Sequence, residues 1–236
     1  MTPTKSALLI VQRPESVTGR VGDVLAARGY HLDVCRVAAG DKLPNGMNDH
    51  DCAVIYGGPM SATDGDEHTF LTDELDWLPR AVASGKPVLG LCLGAQLMAL
   101  AHGAEVVPQA QCLVEVGYYP IRPTDAGANW FPDPLMTYQF HGDAMGVPDD
   151  AVRLASSQVF PVQAFGMNGV PSFGLQFHPE VTRDMMERWV VRAAEMLKKP
   201  GAQSAEEHLD GQTRYDKPLE AWLEGFVDRW LVGETV

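Results

Sequence analysis

The sequence predicts an α/β fold: an open, mostly parallel sheet with helices on both faces, joined to an additional mixed, β-rich half. Two observations carry this expectation. In the first hundred residues short apolar runs alternate with stretches of helical periodicity, the pattern of parallel strands linked by crossover helices. From about 104 to 178 the pattern changes to short strand-like pieces separated by Pro, Gly and Asp turns.

The elements follow in order. "SALLIVQ" (6–12) is a continuous apolar run ending at a Pro-containing loop and reads as a buried strand. "VTGRVGDVLAARGY" carries Val17, Val21, Val24 and Leu25 at helical spacing, with Gly29 as the stop. "HLDVCRV" and "DCAVIYGG" read as further strands, and "FLTDELDWLPRAVAS" as a helix with Leu71, Leu75, Leu78 and Val82 along one side. "KPVLGL" is a buried strand that passes directly into the apolar helix "GAQLMALAHG". "AEVVP", "LVEVGYYPIR", "TYQF", "AVRLASS", "PVQAFG" and "SFGLQFHPEV" are the strand-like pieces of the second half. Helix returns at "DMMERWVVRAAEMLKK" (184–199), followed by a polar stretch. A last amphipathic helix, "LEAWLEGFVDRWL", places Leu219, Trp222, Leu223, Phe226 and Trp230 on one face. Residues 1–200 therefore read as a single domain and 201–236 as a C-terminal extension whose helix packs on that domain.

Composition bounds the partners. A chain of 236 residues, with 45% apolar and 21% charged residues, has the make-up of a folded globular protein. Its formal net charge of −13, from 31 acidic and 18 basic residues, opposes nucleic-acid binding. The apolar stretch near the start is too short for a secretory signal, and the run around 88–101 is too short to span a bilayer, so no membrane partner is expected. Cys35, Cys52, Cys92 and Cys112 form no C-x-x-C pair, which points to a reducing, cytoplasmic setting rather than to a disulfide scaffold.

"VLGLCLGAQLMA" (88–99) asks whether Cys92 is packing or chemistry. A cysteine in an apolar run is ordinarily a small buried hydrophobe. Here "Gly90-Leu91-Cys92-Leu93-Gly94" has the G-x-nucleophile-x-G form of a nucleophile elbow between a strand and a helix. The glycines let strand and helix approach closely, and the helix start turns free N–H groups towards the sulfur. A nucleophilic cysteine needs a base, and "Phe177-His178-Pro179-Glu180-Val181" offers one. In an extended segment His178 and Glu180 would project to one side, so the carboxylate could orient the imidazole. "Ile55-Tyr56-Gly57-Gly58-Pro59-Met60" follows a strand, and such a turn can aim backbone N–H groups into the crevice where α/β sheets bind ligands. Taken singly, H-P-E is an ordinary exposed turn and Gly-Gly-Pro an ordinary loop. "Asp64-Gly65-Asp66-Glu67-His68" lacks a metal-loop spacing and reads as a solvated helix start.

Taken in order, "GGPMSATD", "GLCLGAQ", "FHGD" and "GLQFHPEV" resemble the class I glutamine amidotransferase domain of the Cys-His-Glu type, particularly the amidotransferase half of GMP synthases and its free-standing relatives. The resemblance implies a flavodoxin-like sheet, Cys92 as nucleophile, His178 as general base and acid, and Glu180 as third member of a triad. It further implies an oxyanion hole from the N–H groups of Gly58 and Leu93, and substrate contacts from Gln96 and the backbone of Gly142 and Asp143. On its own, "FHGD" reads only as a turn.

What the resemblance implies chemically is hydrolysis of glutamine, or of another γ-glutamyl amide, through a Cys-linked γ-glutamyl thioester, with neither metal nor organic cofactor. The ATP pyrophosphatase half of GMP synthase opens with a Ser-Gly-Gly-Val-Asp-Ser type loop that does not occur here, so the expectation is of the glutaminase half alone. It would act as a hydrolase by itself or as a glutaminase subunit of a separate synthetase chain. A non-catalytic binding protein would be expected to have lost one of Cys92, His178 and Glu180. Met60-Ser61 and "Glu115-Val116-Gly117-Tyr118-Tyr119" depart from the Glu-Ser and Glu-Ile-Gly-Trp of GMP synthases, which bears on the coupled substrate rather than on the hydrolytic chemistry.

Overall fold

The structure, a computed structural model, describes residues 5–236; residues 1–4, the head of the stretch read for a signal sequence, lie outside it. Its centre is a nine-stranded sheet. Strands β1 (Ser6–Val11), β2 (His31–Arg36), β3 (Cys52–Ile55), β4 (Val88–Leu91) and β11 (Ser172–Leu175) pair in parallel in the order β2-β1-β3-β4-β11. This is the flavodoxin-like order, with β11 in the fifth place. The sheet continues antiparallel from β11 through β10 (Ala164–Met167), β9 (Ala151–Ser156) and β6 (Glu115–Pro123) to β7 (Leu135–His141). β5 (Val106–Pro108) and β8 (Asp143–Met145) make a separate antiparallel pair.

Strands β1, β3 and β4 read as unbroken apolar runs because both of their faces are covered, whereas the edge strand β2 alternates. Successive side chains alternate between faces: Ala7, Leu9 and Val11 join one core, and Leu8 and Ile10 the other. On the first face lie α1 (Gly19–Ala27), through Val21 and Leu25, and α5 (Ala205–Leu231), through Leu219, Leu223, Phe226 and Trp230. On the second lie α2 (Thr69–Ala83), through Leu71, Trp77 and Leu78, and α3 (Leu93–Ala101), through Leu97 and Met98.

Three elements differ from the sequence expectation. The helix expected over 184–199 is α4 (Arg183–Arg192), capped by the Thr182 side chain; beyond it Met196–Lys198 form a single 3₁₀ turn. Only Met185 and Met186 of α4 are buried, and Val191 is 76% exposed, so no core extends the helix further. The stretch read as polar connector before Leu219 is instead the first half of α5. Ser204 accepts from the Glu207 N–H while the Glu207 side chain accepts from the Ser204 N–H, a reciprocal cap that starts the helix. His208 and Gly211 then pack on the β6–β7 pair, and Pro218 lies within the helix rather than ending it. Finally, "FHGD" is a bend at Gly142 between β7 and β8, not a free turn.

Candidate active site

The site forms at the carboxyl ends of the parallel strands. β4 ends at Leu91 and α3 begins at Leu93, leaving Cys92 alone in the turn with φ 50° and ψ −106°. A non-glycine residue at positive φ carries a strain of about 1–3 kcal/mol and persists only where its surroundings fix it. The Cys92 N–H donates to Leu175 O at 2.8 Å, which ties the turn to the neighbouring strand. A Cβ on Gly94 would run into the Ile55 backbone, and one on Gly90 would lie 2.6 Å from Gly94 O. Both glycines of the motif are therefore required by the close passage of strand and helix.

His178 and Glu180 do not lie in a strand, contrary to the extended segment expected. β11 stops at Leu175, and Pro179 and Glu180 form a turn in which the Val181 N–H points back to His178 O at 3.4 Å. The proline favours such a turn. Across it His178 Nδ1 lies 2.8 Å from Glu180 Oε1, with both side chains buried. A carboxylate only accepts, so Nδ1 carries the proton and Nε2 is left for the sulfur. The His178 N–H donates to Tyr138 O at 2.8 Å, and the ring meets Trp189 edge to face at 4.8 Å.

Gly57 packs against both His178 and Cys92. A Cβ there would be 2.8 Å from His178 Cε1 and 3.3 Å from Cys92 Cβ. Burial pulls the His178 pKa down, but the neighbouring Cys92 sulfur and the Glu180 carboxylate, both charged partners and hydrogen-bonding partners, raise it on balance to about 10. The imidazole is thus held protonated between two groups that are anionic when ionised.

Gly58 packs directly beside Leu93: a Cβ on Gly58 would sit 3.0 Å from Leu93 Cδ2 and 2.8 Å from Gln12 Cβ. The first N–H groups of a helix have no intrahelical acceptor, and that of Leu93 opens α3 next to the sulfur. Behind Gly58, Gln12 Nε2 donates to Glu74 Oε2 at 2.8 Å, and burial raises the Glu74 carboxyl to about 8 against the lowering effect of that bond.

Gln96 is buried, and its Nε2 donates to Gln176 Oε1 at 3.2 Å. Gln176 Nε2 in turn lies 3.6 Å from Cys92 Sγ. Gln176 was not singled out from the sequence, although it stands two residues before His178, where the same-side rule of extended chains would have marked it. Gly142 and Asp143 are carried by the bend between β7 and β8, and Asp143 Oδ2 accepts from Ser61 Oγ at 3.0 Å. His141 Nδ1, 3.2 Å from Asp143 O, and Glu115, 3.6 Å from His141 Nε2, support the bend from within. The structure thus groups Cys92, Leu93, Gly57, Gly58, His178 and Glu180, links Gln96 to them through Gln176, and joins the Asp143 bend to the loop that follows Gly58.

Residues 9–193 match the family model described as "Glutamine amidotransferase class-I". The chain is 34% identical over 178 residues to the glutamine amidotransferase-like protein YfeJ of Salmonella typhimurium, covering 72% of this chain and 73% of that one. It is 30% identical over 191 residues to the glutamine-hydrolyzing GMP synthase of Streptococcus pneumoniae, covering 76% of this chain but only 35% of the synthase, so it matches about a third of that protein's length. Among solved structures, a glutamine amidotransferase from Thermotoga maritima superposes with a TM-score of 0.86 at 27% identity, covering 97% of this chain and 98% of that one. A glutamine amidotransferase from Methylobacillus flagellatus gives 0.88 at 28%, covering 99% and 96%. Among the described residues no helix is long and apolar enough to cross a membrane. With its flavodoxin-like sheet, its elbow cysteine and these matches over most of its length, the chain belongs to the class I glutamine amidotransferase family.

Proposed function

We propose that the protein hydrolyses the γ-carboxamide of glutamine, or of a related γ-glutamyl amide, through a thioester on Cys92. The observation that carries this reading is the strained cysteine of the elbow, set against an imidazole that is itself bonded to Glu180. The sulfur of Cys92 attacks the amide carbon, and the charge gathering on the amide oxygen is received by the N–H groups of Gly58 and Leu93. His178 gives its proton to the leaving nitrogen, which departs as ammonia or an amine. It then takes a proton from water, whose oxygen attacks the thioester carbon. Glutamate leaves as the C–S bond breaks, which restores the sulfur anion beside the protonated His178. Glu180 keeps the proton on Nδ1 and offsets the imidazolium charge throughout. Gln96 and the backbone of Gly142 and Asp143 are assigned to the amino-acid end of the substrate.

A second reading, that the chain supplies ammonia to a separate synthetase, is favoured by the match to one third of a GMP synthase. The four free cysteines support a reducing, cytoplasmic setting for either. The test is to incubate the purified chain with glutamine and a panel of γ-glutamyl amides and to search for a γ-glutamyl adduct on Cys92 by mass spectrometry. Turnover by the chain alone is expected; turnover only after a second protein is added selects the subunit reading. Hydrolysis that survives Cys92→Ala overturns the mechanism.

A further inference from the structure

The His178–Glu180 turn stands outside the sheet, and few bonds hold its backbone. Gln176 N–H donates to Gln163 O at 2.9 Å, His178 N–H to Tyr138 O at 2.8 Å, and Glu180 O accepts from Arg20 N–H at 2.9 Å. The last contact is a close fit: Gly19, at φ +52°, has no room for a Cβ against Glu180 O, and the Tyr56 hydroxyl fixes the preceding residue by donating to Thr18 O at 3.0 Å. The start of α1 is therefore the seat of the Glu180 carbonyl. Arg20, which supplies that N–H, extends its guanidinium to Asp216 on α5 and meets both carboxylate oxygens at 2.7 Å, with the two side chains 11% and 15% exposed.

We propose that α5 is a brace for the active site, with Arg20 and Asp216 as positioning residues that hold the Glu180 turn at the distance His178 requires. The proposal rests on the triad reading above. Two further contacts run the same way. His208 Nδ1 lies 3.0 Å from the Tyr138 hydroxyl, on the residue whose carbonyl accepts the His178 N–H. Trp222 packs at 5.5 Å on Phe177, the neighbour of His178. The same helix reaches the chain on both sides of the base.

The molecule contains its own control. Arg28 and Asp228 join the same two helices at the other end of α1, where the pair is more exposed and touches no part of the triad. Replacing Asp216 by Asn removes the close anionic partner of Arg20 and leaves only Glu220, 3.8 Å from its Nε, and Arg20→Lys removes the guanidinium while keeping the charge. Three readouts compare these variants with Asp228→Asn at matched thermal stability: kcat and KM for glutamine, the rate of Cys92 alkylation by iodoacetamide, and the proton resonance of His178 Nδ1–H. For Asp216→Asn the expected result is a fall in kcat and in alkylation rate of about tenfold or more, as a displaced catalytic group produces, with KM within about twofold and a shifted or broadened resonance. Arg20→Lys should behave likewise and Asp228→Asn like the wild type. Equal responses at residues 216 and 228, or a resonance unmoved by Asp216→Asn, overturn the brace. Alkylation and the resonance need no substrate, so a protein inert towards glutamine would refute the hydrolytic reading while these two still decide the brace.

Discussion

His178 Nδ1 stands 2.8 Å from Glu180 Oε1 across a proline turn, in a stretch of chain that has already left the sheet. The carboxylate and imidazole are buried together, so the charge of the imidazole depends on its partner. Since Glu180 is among the groups that raise His178, Glu180→Gln should lower the His178 pKa from about 10 towards its ordinary value, read by NMR titration of the ring protons. A histidine raised in the folded state contributes stability below its unfolded value of 6.5, and that contribution is lost as pH rises through 10. Turnover of glutamine should fall about a hundredfold, the low end of what a positioned acid–base group contributes.

Gly94→Ala tests the elbow. The added methyl group would enter the Ile55 backbone, which cannot move without disturbing β3 and β4. A loss of about 3 kcal/mol or more is expected in denaturant unfolding, larger than for an exposed helical glycine such as Gly225, where a Cβ meets nothing and Ala should stabilise. Equal effects at the two positions would refute the packing argument.

Ser61→Ala removes the bond from the glycine loop to Asp143 while leaving Cys92, His178 and Glu180 untouched. A hydrogen bond to a charged group is worth about 1.5–3 kcal/mol, so with Asp143 freed the KM for glutamine should rise about tenfold and kcat stay within about twofold. Initial rates over a range of glutamine concentrations, from well below to well above KM, separate the two.

Glu74 gives a pH signature distinct from that of His178. Its carboxyl, raised by burial to about 8 from an ordinary 4.5, binds its proton more tightly in the folded chain than in the unfolded one. Its contribution is intact below 4.5 and is lost as pH rises to 8, by an amount on the order of 3–5 kcal/mol. Glu74→Gln abolishes that titration, so the variant should gain on the wild type across this window in urea melts at a series of pH values. A constant difference between the two would contradict the burial assignment.

How far the sequence reaches depends on the range of the contacts. Strands β1, β3 and β4 are legible because burial on both faces makes them continuous apolar runs, and the elbow because a cysteine between two spaced glycines is a local backbone requirement. Gln176 is not legible because its link to Cys92 joins residues 84 positions apart just beyond the ends of β11 and β4, nor is the first half of α5, because its buried contacts, such as Gly211 on Tyr118, fall on β6 and β7 rather than within the helix. The end of α4 departs from the sequence expectation for the converse reason: helical periodicity continues past Arg192 where no core lies beneath it.

By itself the sequence determined the α/β class, the order of the parallel strands' crossover helices and the candidates Cys92, His178 and Glu180, since each rests on residues near one another in the chain or on a local backbone shape. Only the tertiary structure decided that His178 and Glu180 meet across a turn rather than along a strand, that Gly57 packs against both His178 and Cys92, and that Asp216 reaches Arg20 beside that turn. These are contacts between segments far apart along the chain, and they form because burying the apolar faces of α1 and α5 on one side of the sheet brings those segments together.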